Sequence, residues 1–226
     1  MIELKNQNLT RQLDLIPIAV LGTRITIIGA GAVGGWTSLA LAKMGFSNIT
    51  VFDYDVVEVE NLNCQLYGPK HLGMQKVQAL KELVYELSGT RIEGAGKYVG
   101  GAYPGIVISA VDSMLVRSLI WEEHTKAGYL TKAVIDPRMG AETALLYVMD
   151  PKAAKDRESY EKTLYTDDEA LREPCTRKAT AYCALALSGL VAAQVKNLVV
   201  EANYSRITQW QIPEAGFMAW KKENGK

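Results

Sequence analysis

Apolar and polar positions alternate with two different periods along most of the chain. β-branched runs predict five strands, at 24–29, 48–52, 106–111, 132–135 and 143–149. Segments that are rich in Ala and Leu, or apolar at helical spacing, predict three helices, at 32–45, 74–88 and 113–127. Because strands alternate with helices, we expect a mainly parallel sheet with helices on both faces. The predicted fold class is α/β, a Rossmann-like, doubly wound sheet whose strand C-termini share one edge.

The C-terminal third breaks this alternation. Charged residues occupy more than half of the segment from Asp150 to Glu173, which indicates a solvated, partly helical excursion or a mobile loop. An apolar helix is predicted from about Ala179 to Ala202, followed by a short strand from Arg206 to Ile212 and a lysine-rich tail. We expect one domain over residues 1–226, with an N-terminal arm at 1–23, a mobile crossover segment at 150–178 and a C-terminal antiparallel extension of the sheet.

Composition removes several classes of protein. Basic and acidic residues balance at 25 each, so no strong field favours nucleic acid or an anionic membrane. Three cysteines without a CxxC pair predict neither a disulfide framework nor a zinc site. The N-terminal residues lack the apolar core of a signal peptide, and the apolar runs are short or interrupted, so we expect no membrane span and a cytoplasmic location.

A glycine-rich turn joins the first predicted strand to the first helix. Gly29, Gly31 and Gly34 form a GxGxxG motif in which Ala32 opens the helix. The first glycine permits the tight turn, the second lets a phosphate approach the backbone, and the third lets the helix pack on the strand. The helix N-terminus then offers unpaired N–H groups and a positive dipole end to an anion. The turn predicts a nucleotide site, but it does not separate ATP from NAD.

The segment from Asp53 to Lys76 favours one nucleotide class over the other. A dinucleotide dehydrogenase needs an acid at the end of its second strand and little else nearby. This segment adds Asn61, Gln65 and Lys76, which can hold a triphosphate and position a reacting carboxylate. Asp112 lies at a later strand end, where a carboxylate suits Mg²⁺, or where it could cap the following helix.

In this order, the motifs resemble the ThiF/MoeB/HesA superfamily, which includes the adenylating domains of ubiquitin-activating enzymes. The stretch that carries the resemblance is RITIIGAGAVGGWTSLALAKMGFSNITVFDYDVVEVENLNCQLY. The family pattern is GxGxxG, D-x-D, an N-L-x-R-Q box, a lysine about ten residues later and an aspartate at a later strand end. The resemblance covers nearly the whole chain. It implies ATP-dependent adenylation of the C-terminal carboxylate of a ubiquitin-like or sulfur-carrier protein by a homodimer.

The resemblance also implies roles for residues near the sugar and the phosphates. Asp53 and Asp55 form the D-x-D pair, and Asp53 would hold the ribose hydroxyls. Asn61 and Gln65 would line the phosphate site. These residues, together with the glycine turn, form the implied ATP site.

Three further residues are implied in the transfer itself. Lys76 would contact the α- and β-phosphates, and Asp112 would hold Mg²⁺. Arg11 resembles the N-terminal arginine that family dimers insert into the partner's γ-phosphate site, and its action in cis or in trans stays open. Positioned cations of this kind stabilise the charge that builds on phosphate oxygens while pyrophosphate leaves.

One position departs from the family pattern. Cys64 stands where the N-L-x-R-Q box has its arginine. An arginine at a phosphoryl-transfer centre contributes roughly 10³-fold or more to the rate. Either another cation replaces it, with Arg138 as one candidate, or adenylation is weak, or the substrate differs.

Cys175 is the predicted nucleophile for a second step. It follows the charged segment and precedes an apolar helix, as does the thioester-forming cysteine of some family members. Neighbouring Arg177 and Lys178, and a helix N-terminus, would lower its thiol pKa. A buried, inert thiol is the alternative. Cys183 is predicted to lie in the core, while His71 and His124 are predicted at the surface or at helix ends.

Three other functions stay open at this point. The same fold could adenylate a small molecule, a peptide or a tRNA base, with Cys175 structural. An NAD-dependent oxidoreductase would use the glycine turn and Asp53. It gives no reason for the combination of Asn61, Gln65, Lys76 and Asp112. The loss of the box arginine at Cys64 would suit a catalytically weak partner subunit.

Overall fold

The structure is a computed structural model that describes residues 9–127, 129–165 and 179–221. The described residues form eight strands: β1 (Ile25–Ile28), β2 (Ile49–Phe52), β3 (Glu93–Ala95), β4 (Gly105–Ser109), β5 (Thr131–Gly140), β6 (Thr143–Met149), β7 (Ser205–Gln211) and β8 (Gly216–Lys221). They also form five α-helices: α1 (Ala32–Lys43), α2 (Lys76–Ser88), α3 (Met114–Lys126), α4 (Ala154–Glu161) and α5 (Ala181–Val199).

All eight strands belong to one sheet, in the order β3-β2-β1-β4-β5-β6-β7-β8. The pairs from β3 to β5 are parallel, and the pairs from β5 to β8 are antiparallel. The predicted fold is therefore confirmed, including its C-terminal antiparallel extension. The single-domain boundaries stay a prediction.

Successive side chains of the central strands point to opposite faces of the sheet, so the core has two layers. On β5, Ile135 packs in the main cluster with α1, α2 and α5, while Val134 faces Trp121 of α3 and Tyr160 of α4. Strands buried on both faces explain why β1 is an unbroken apolar and β-branched run.

The strand order places one crevice at the C-terminal edge of the sheet. β1 pairs with β2 on one side and with β4 on the other, so the crossovers on its two sides run in opposite directions. This topological switch point is where open α/β sheets bind ligands. The loops that follow β1, β2 and β4 meet there.

Two strands were not predicted from the sequence. β3 has only three residues, and its Gly94 would place a Cβ 2.1 Å from Val77 Cγ1 of α2, so close packing excludes a larger residue. The prediction of a lysine-rich tail is wrong at 216–221, where β8 pairs with β7. Most residues of β8 are apolar, but Phe217 and Met218 are exposed, so pairing rather than burial makes it a strand.

β5 has ten residues where the sequence predicts four, because it continues through Pro137. Its pairing with β4 ends at Ile135, so the residues beyond pair only with β6. A proline is tolerated where its ring faces an unpaired side of a strand. The predicted strand, which ended at Ile135, was therefore too short.

The charged segment contains an ordered part. α4 occupies 154–161, in agreement with a partly helical excursion, and residues 166–178 lie outside the described residues. Among the described residues, α5 is the one helix that is long and apolar enough to cross a membrane, by length and composition alone. Over half of that stretch is buried inside the fold, where α5 packs on α1 and on β5 and β6, as a core helix does.

Both histidines lie at helix ends, one of the two predicted positions, but they are buried rather than at the surface. His71 accepts a hydrogen bond from the Gly68 N–H at Nδ1, at 2.9 Å. His124 Nε2 accepts from the Tyr103 N–H at 3.2 Å, and Nδ1 lies 2.6 Å from the Ile120 carbonyl oxygen. Burial lowers the pKa of His124, so this side chain is neutral and structural at pH 7.

Candidate functional site

A cavity of about 460 Å³ opens at the C-terminal edge of the sheet, between the ends of β1, β2 and β4. Its volume is in the range of small-molecule sites. The predicted site residues on its wall are Gly29, Gly31, Ala32, Asp53, Asp55, Gln65, Lys76 and Asp112. The fold thus brings most of the predicted site residues together at one cavity.

The three glycines of the turn have different physical roles. Gly29 has a φ of +100°, and a Cβ there would lie 2.3 Å from the Ala110 carbonyl oxygen. A Cβ at Gly34 would lie 1.9 Å from the Gly29 carbonyl oxygen. A Cβ at Gly31 would meet nothing within 4 Å. Gly29 and Gly34 are therefore required by packing, whereas Gly31 leaves space on the cavity side for a ligand to approach the backbone.

Asp53 holds the glycine turn against the end of β2. Its Oδ2 accepts from the Ala30 N–H at 2.6 Å, and its Oδ1 accepts from the Asp55 N–H at 2.8 Å. A carboxylate oxygen has more than one acceptor site. Asp53 can therefore still accept from hydroxyl groups of a ligand in the cavity.

Lys76, the first residue of α2, is fixed to Asp55 in two ways. Its Nζ lies 2.8 Å from Asp55 Oδ2, and its backbone N–H donates to the Asp55 carbonyl oxygen at 2.9 Å. The Lys76 side chain is 9% exposed and that of Asp55 is 49% exposed. An ammonium group has three donors, so the ion pair leaves N–H groups of Lys76 for a ligand.

The two amides of the box lie in different places. The Gln65 side chain reaches the cavity, where its buried Oε1 has no hydrogen-bond partner among the described residues. A buried polar atom without a partner indicates a group that a ligand or water satisfies. Asn61 instead accepts from the Glu58 N–H at 2.9 Å, caps the short 3₁₀ helix there and does not line the cavity. The structure thus supports a ligand contact for Gln65 and a structural role for Asn61.

Asp112 is not the cap of α3. The Ser113 hydroxyl accepts from the Val116 N–H at 3.3 Å and caps the helix, while Asp112 is exposed at the cavity. No group of three or more His, Cys, Asp or Glu that could hold a metal ion occurs among the described residues. Mg²⁺ is usually held by one or two carboxylates together with substrate phosphates. Asp112 fits that requirement, and the absence of zinc stays a prediction.

The geometry does not support Arg138 as the replacement for the missing arginine, and it places Cys64 itself off the cavity wall. The Cys64 side chain is half-buried and does not line the cavity, and burial raises its thiol pKa. Arg138 points away from the cavity: its Nη1 donates to the Thr163 carbonyl oxygen at 2.8 Å and its Nη2 to Thr163 Oγ1 at 3.1 Å. Pro137 and Met139, its neighbours on β5, are the residues that face the cavity.

A buried ionic cluster behind the cavity was not predicted. Asp136 is fully buried and accepts from Arg117 Nη1, from Arg138 Nε at 2.8 Å and from the Tyr160 hydroxyl at 2.7 Å. Two positively charged guanidinium groups face one negative carboxylate, so the cluster has an excess of positive charge. The rings of Tyr147 and Tyr160 lie 4.6 and 5.6 Å from the Arg138 guanidinium carbon, close enough to stabilise that excess.

Arg117 connects this cluster to the wall of the cavity. Its guanidinium donates to the carbonyl oxygens of Ser109 and Val111 after β4, and to that of Pro137 on β5. Burial lowers its pKa to about 10, so it is protonated at neutral pH. The sequence signal was weak: an arginine one turn into a helix is common, and only the buried partner Asp136 distinguishes this one.

Two predicted residues lie away from the cavity or outside the described residues. Arg11 is exposed in an N-terminal turn and does not line the cavity. Cys175 lies outside the described residues, so its role stays a prediction. Cys183 is fully buried in α5 and burial raises its pKa to about 11, which agrees with a core position.

Comparison with known proteins identifies the family of this chain. The model of the ThiF family matches residues 19–221. Ubiquitin-like modifier-activating enzyme 5 of Rattus norvegicus is 36% identical over 64 residues, which are 28% of this chain and 16% of that protein. The enzyme of the same name from Aedes aegypti is 29% identical over 116 residues, 42% of this chain and 29% of that protein. The matched region is thus less than a third of either relative's length.

Solved structures show the same fold at low sequence identity. The crystal structure of E. coli MccB with ATP has a TM-score of 0.76 and 15% identity, and covers 98% of this chain and 73% of that chain. MccB was also solved in complex with N-formylated MccA, with a TM-score of 0.75. The structure of PaaA has a TM-score of 0.68 and 15% identity, and covers 89% of this chain and 64% of that chain. At this identity the likeness concerns the fold.

Replacement of Asp136 by Asn tests the buried cluster. The change keeps the side-chain shape but leaves two arginines without their counter-charge, so we expect the free energy of unfolding to fall by about 3–5 kcal/mol. Urea unfolding at pH 7 measures it. Glu86→Gln is the control, because it removes an exposed pair with Lys70 and should change the stability by less than about 1 kcal/mol. A loss of the control's size in Asp136→Asn would contradict the role of the cluster.

Proposed function

Because the chain belongs to the ThiF family, we propose that it is an ATP-dependent adenylyltransferase that activates the C-terminal carboxylate of a ubiquitin-like or sulfur-carrier protein. The observation that carries the proposal is the cavity at the switch point. An open backbone at Gly31, the ammonium of Lys76 and the carboxylate of Asp112 all face it. Groups of these kinds can bind phosphates and the cation that accompanies them.

The proposed reaction joins a substrate carboxylate to the α-phosphate of ATP. A carboxylate oxygen bonds to the α-phosphorus, the bond from that phosphorus to the oxygen bridging to the β-phosphate breaks, and pyrophosphate leaves. Negative charge grows on the phosphate oxygens during this displacement. Fixed N–H groups and cations stabilise that charge without reacting themselves.

On our proposal, each group of cavity residues has a different role in this reaction. The N–H groups of the glycine turn and helix α1 would bind phosphate oxygens, and Lys76 would donate to phosphates from the opposite side. Asp53 would orient the ribose. Asp112 would hold Mg²⁺, which supplies positive charge at the phosphates when it is bound.

The same geometry weighs against an NAD-dependent oxidoreductase. A dinucleotide would use Gly31 and Asp53, but it leaves unexplained the buried lysine at the cavity wall and the partnerless Gln65 amide. A triphosphate uses both, since the lysine is a cation and the amide can present N–H groups to phosphate. Amide oxygen and nitrogen positions are interchangeable by rotation.

A second substrate class is a candidate because of the fold neighbours. MccB, which shares this fold, was solved with ATP and with N-formylated MccA, whereas the sequence relatives are activating enzymes for a ubiquitin-like modifier. Adenylation of a peptide, a small molecule or a tRNA base by this chain is therefore the alternative. A catalytically weak subunit is the third candidate, since Cys64 and Arg138 leave the cavity without the family arginine.

ATP–pyrophosphate exchange with the Lys76→Met variant tests the proposed activity. We expect the wild-type chain to exchange labelled pyrophosphate into ATP when a candidate ubiquitin-like protein is present. The variant should lose about 100-fold or more of this rate, because a positioned donor to the reacting phosphate is removed. Lys70→Met, which alters an exposed lysine, is the matched control and should retain the wild-type rate.

The exchange assay also distinguishes the alternatives. Exchange that needs no protein partner but responds to a peptide or small carboxylic acid would replace the ubiquitin-like substrate. Absence of exchange with tight binding of NAD would overturn the adenylyltransferase proposal. Absence of exchange with binding of a folded partner protein would support the weak subunit.

We further propose that Cys175 accepts the acyl group. Its thiolate Sγ would attack the acyl carbon of the adenylate, the bond from that carbon to the phosphate oxygen of AMP would break, and the thiol proton would pass to solvent. The charged segment 150–173 would control the route between the two centres.

The Cys175→Ser variant tests this step. It should keep wild-type exchange but lose the thiol-sensitive adduct that is seen on a non-reducing gel, whereas Cys183→Ser should keep both. An adduct that survives in Cys175→Ser would contradict this role.

We propose that the chain acts as a homodimer through the outer face of α5. Leu185, Gly189 and Ala193 are exposed there at helical spacing, and no charged residue precedes Lys196 in this helix. Removal of this apolar face from water favours association with a second copy.

Sedimentation velocity with Leu185→Glu tests this interface. A buried charge without a partner is costly, so we expect the dimer to weaken at least about tenfold. Leu87→Glu changes a leucine of similar exposure on α2 and should leave the dimer intact. A wild-type monomer at micromolar concentration would contradict the dimer, and a dimer that tolerates Leu185→Glu would place the interface elsewhere.

A further inference from the structure

Tyr67 lies directly behind the glycine turn and has no part in the roles proposed so far. Its side chain is buried, it does not line the cavity, and its hydroxyl donates to the Ala30 carbonyl oxygen at 2.7 Å. The same hydroxyl lies 3.3 Å from the carbonyl oxygen of Lys76. Burial, together with the charges of Asp53 and Asp55, raises the pKa of Tyr67, so the phenol keeps its proton and is a donor.

The contact with Ala30 fixes the direction of a peptide group. All described peptide bonds are trans, so the carbonyl of Ala30 and the N–H of Gly31 point in opposite directions from one plane. Because Tyr67 holds this carbonyl toward the protein interior, the Gly31 N–H is turned away from Tyr67. Gly31 is the member of the turn at which the cavity side is open.

Asp53 fixes the preceding peptide group of the same turn. It accepts from the Ala30 N–H, so Ala30 is held at its N–H by Asp53 and at its carbonyl by Tyr67. With both adjoining peptide planes fixed, the turn cannot rotate the Gly31 N–H back into the protein without the loss of a buried hydrogen bond.

The second contact of Tyr67 reaches the other wall of the site. The carbonyl of Lys76 belongs to the first residue of α2, whose side chain faces the cavity. One hydroxyl therefore lies between the backbone of the glycine turn and the backbone of the lysine. A fixed distance between the Gly31 N–H and the Lys76 ammonium matters because both must reach phosphate oxygens of one ligand.

From these contacts we propose that Tyr67 is a positioning residue for the phosphate site, which aims the Gly31 N–H at the ligand and holds the glycine turn in register with Lys76. This inference rests on the proposed ATP-dependent function and adds a residue that does not touch the nucleotide. Its effect concerns the phosphates and not the nucleoside.

Binding of ATP and of adenosine to the Tyr67→Phe variant separates these two parts. The variant keeps the ring and loses the hydroxyl. We expect the dissociation constant for ATP to rise about tenfold, the effect of one misplaced hydrogen bond to a charged group, and that for adenosine to stay within about twofold. Isothermal titration at pH 7.5 with Mg²⁺ measures both. In an NMR experiment, the shift of the Gly31 amide signal on addition of ATP should shrink in the variant.

Tyr147→Phe is the matched control. Tyr147 is also a buried tyrosine, but it lies on β6 outside the cavity wall, so its variant should bind ATP as the wild type does. Urea unfolding of both variants shows whether a loss of binding only reflects a loss of stability.

Each remaining outcome counts against a stated claim. If the wild type binds no ATP, the proposed function and the positioning role both fail. If the wild type binds ATP and Tyr67→Phe binds it equally well, only the positioning role fails. An equal loss for ATP and adenosine would mean general loosening of the cavity, and would also overturn the positioning role.

Discussion

One buried carboxylate, Asp136, holds the C-terminal edge of the sheet together. Two guanidinium groups and a phenol converge on it, and a buried guanidinium without such a partner would be strongly destabilising. Arg117 then organises the carbonyl groups at the ends of β4 and β5, and Arg138 attaches Thr163 after α4 to the same strand. The wall of the cavity and the start of the segment that leads to Cys175 thus share one anchor.

The opposite wall of the cavity depends on backbone geometry more than on side chains. Gly29 and Gly34 allow contacts that a Cβ would forbid, and Asp53 and Tyr67 fix the peptide groups around Ala30. A phosphate site built from N–H groups needs little from side chains except orientation. On the proposed function, this is how Tyr67, which does not line the cavity, would affect ligand binding.

The fold and the glycine turn could be predicted because local rules decide them. Strand and helix periods, together with glycine spacing, locate β1, α1 and the cavity edge. The partners of Asn61 and Arg138 and the burial of the two histidines could not be predicted, because a short sequence motif does not state where a side chain finds its partner. β3 and β8 were missed for a related reason, since strand pairing and close packing at Gly94 arise only in the assembled sheet. The Asp136 cluster joins residues from three elements, and no local pattern announces it.

The substitution at Cys64 changes the charge balance of the site. Among the described residues on the cavity wall, Asp53, Asp55 and Asp112 oppose Lys76, Lys97 and Arg117. Arg117 is committed to Asp136 and to carbonyl groups, and Lys76 is shared with Asp55. Lys97, which is exposed on the same wall, is therefore the cation there that lies outside these pairs. The family arginine that would add a further positive charge is a thiol. On the proposed function, a divalent cation at Asp112 would carry more of the charge compensation here than in a site that retains the arginine.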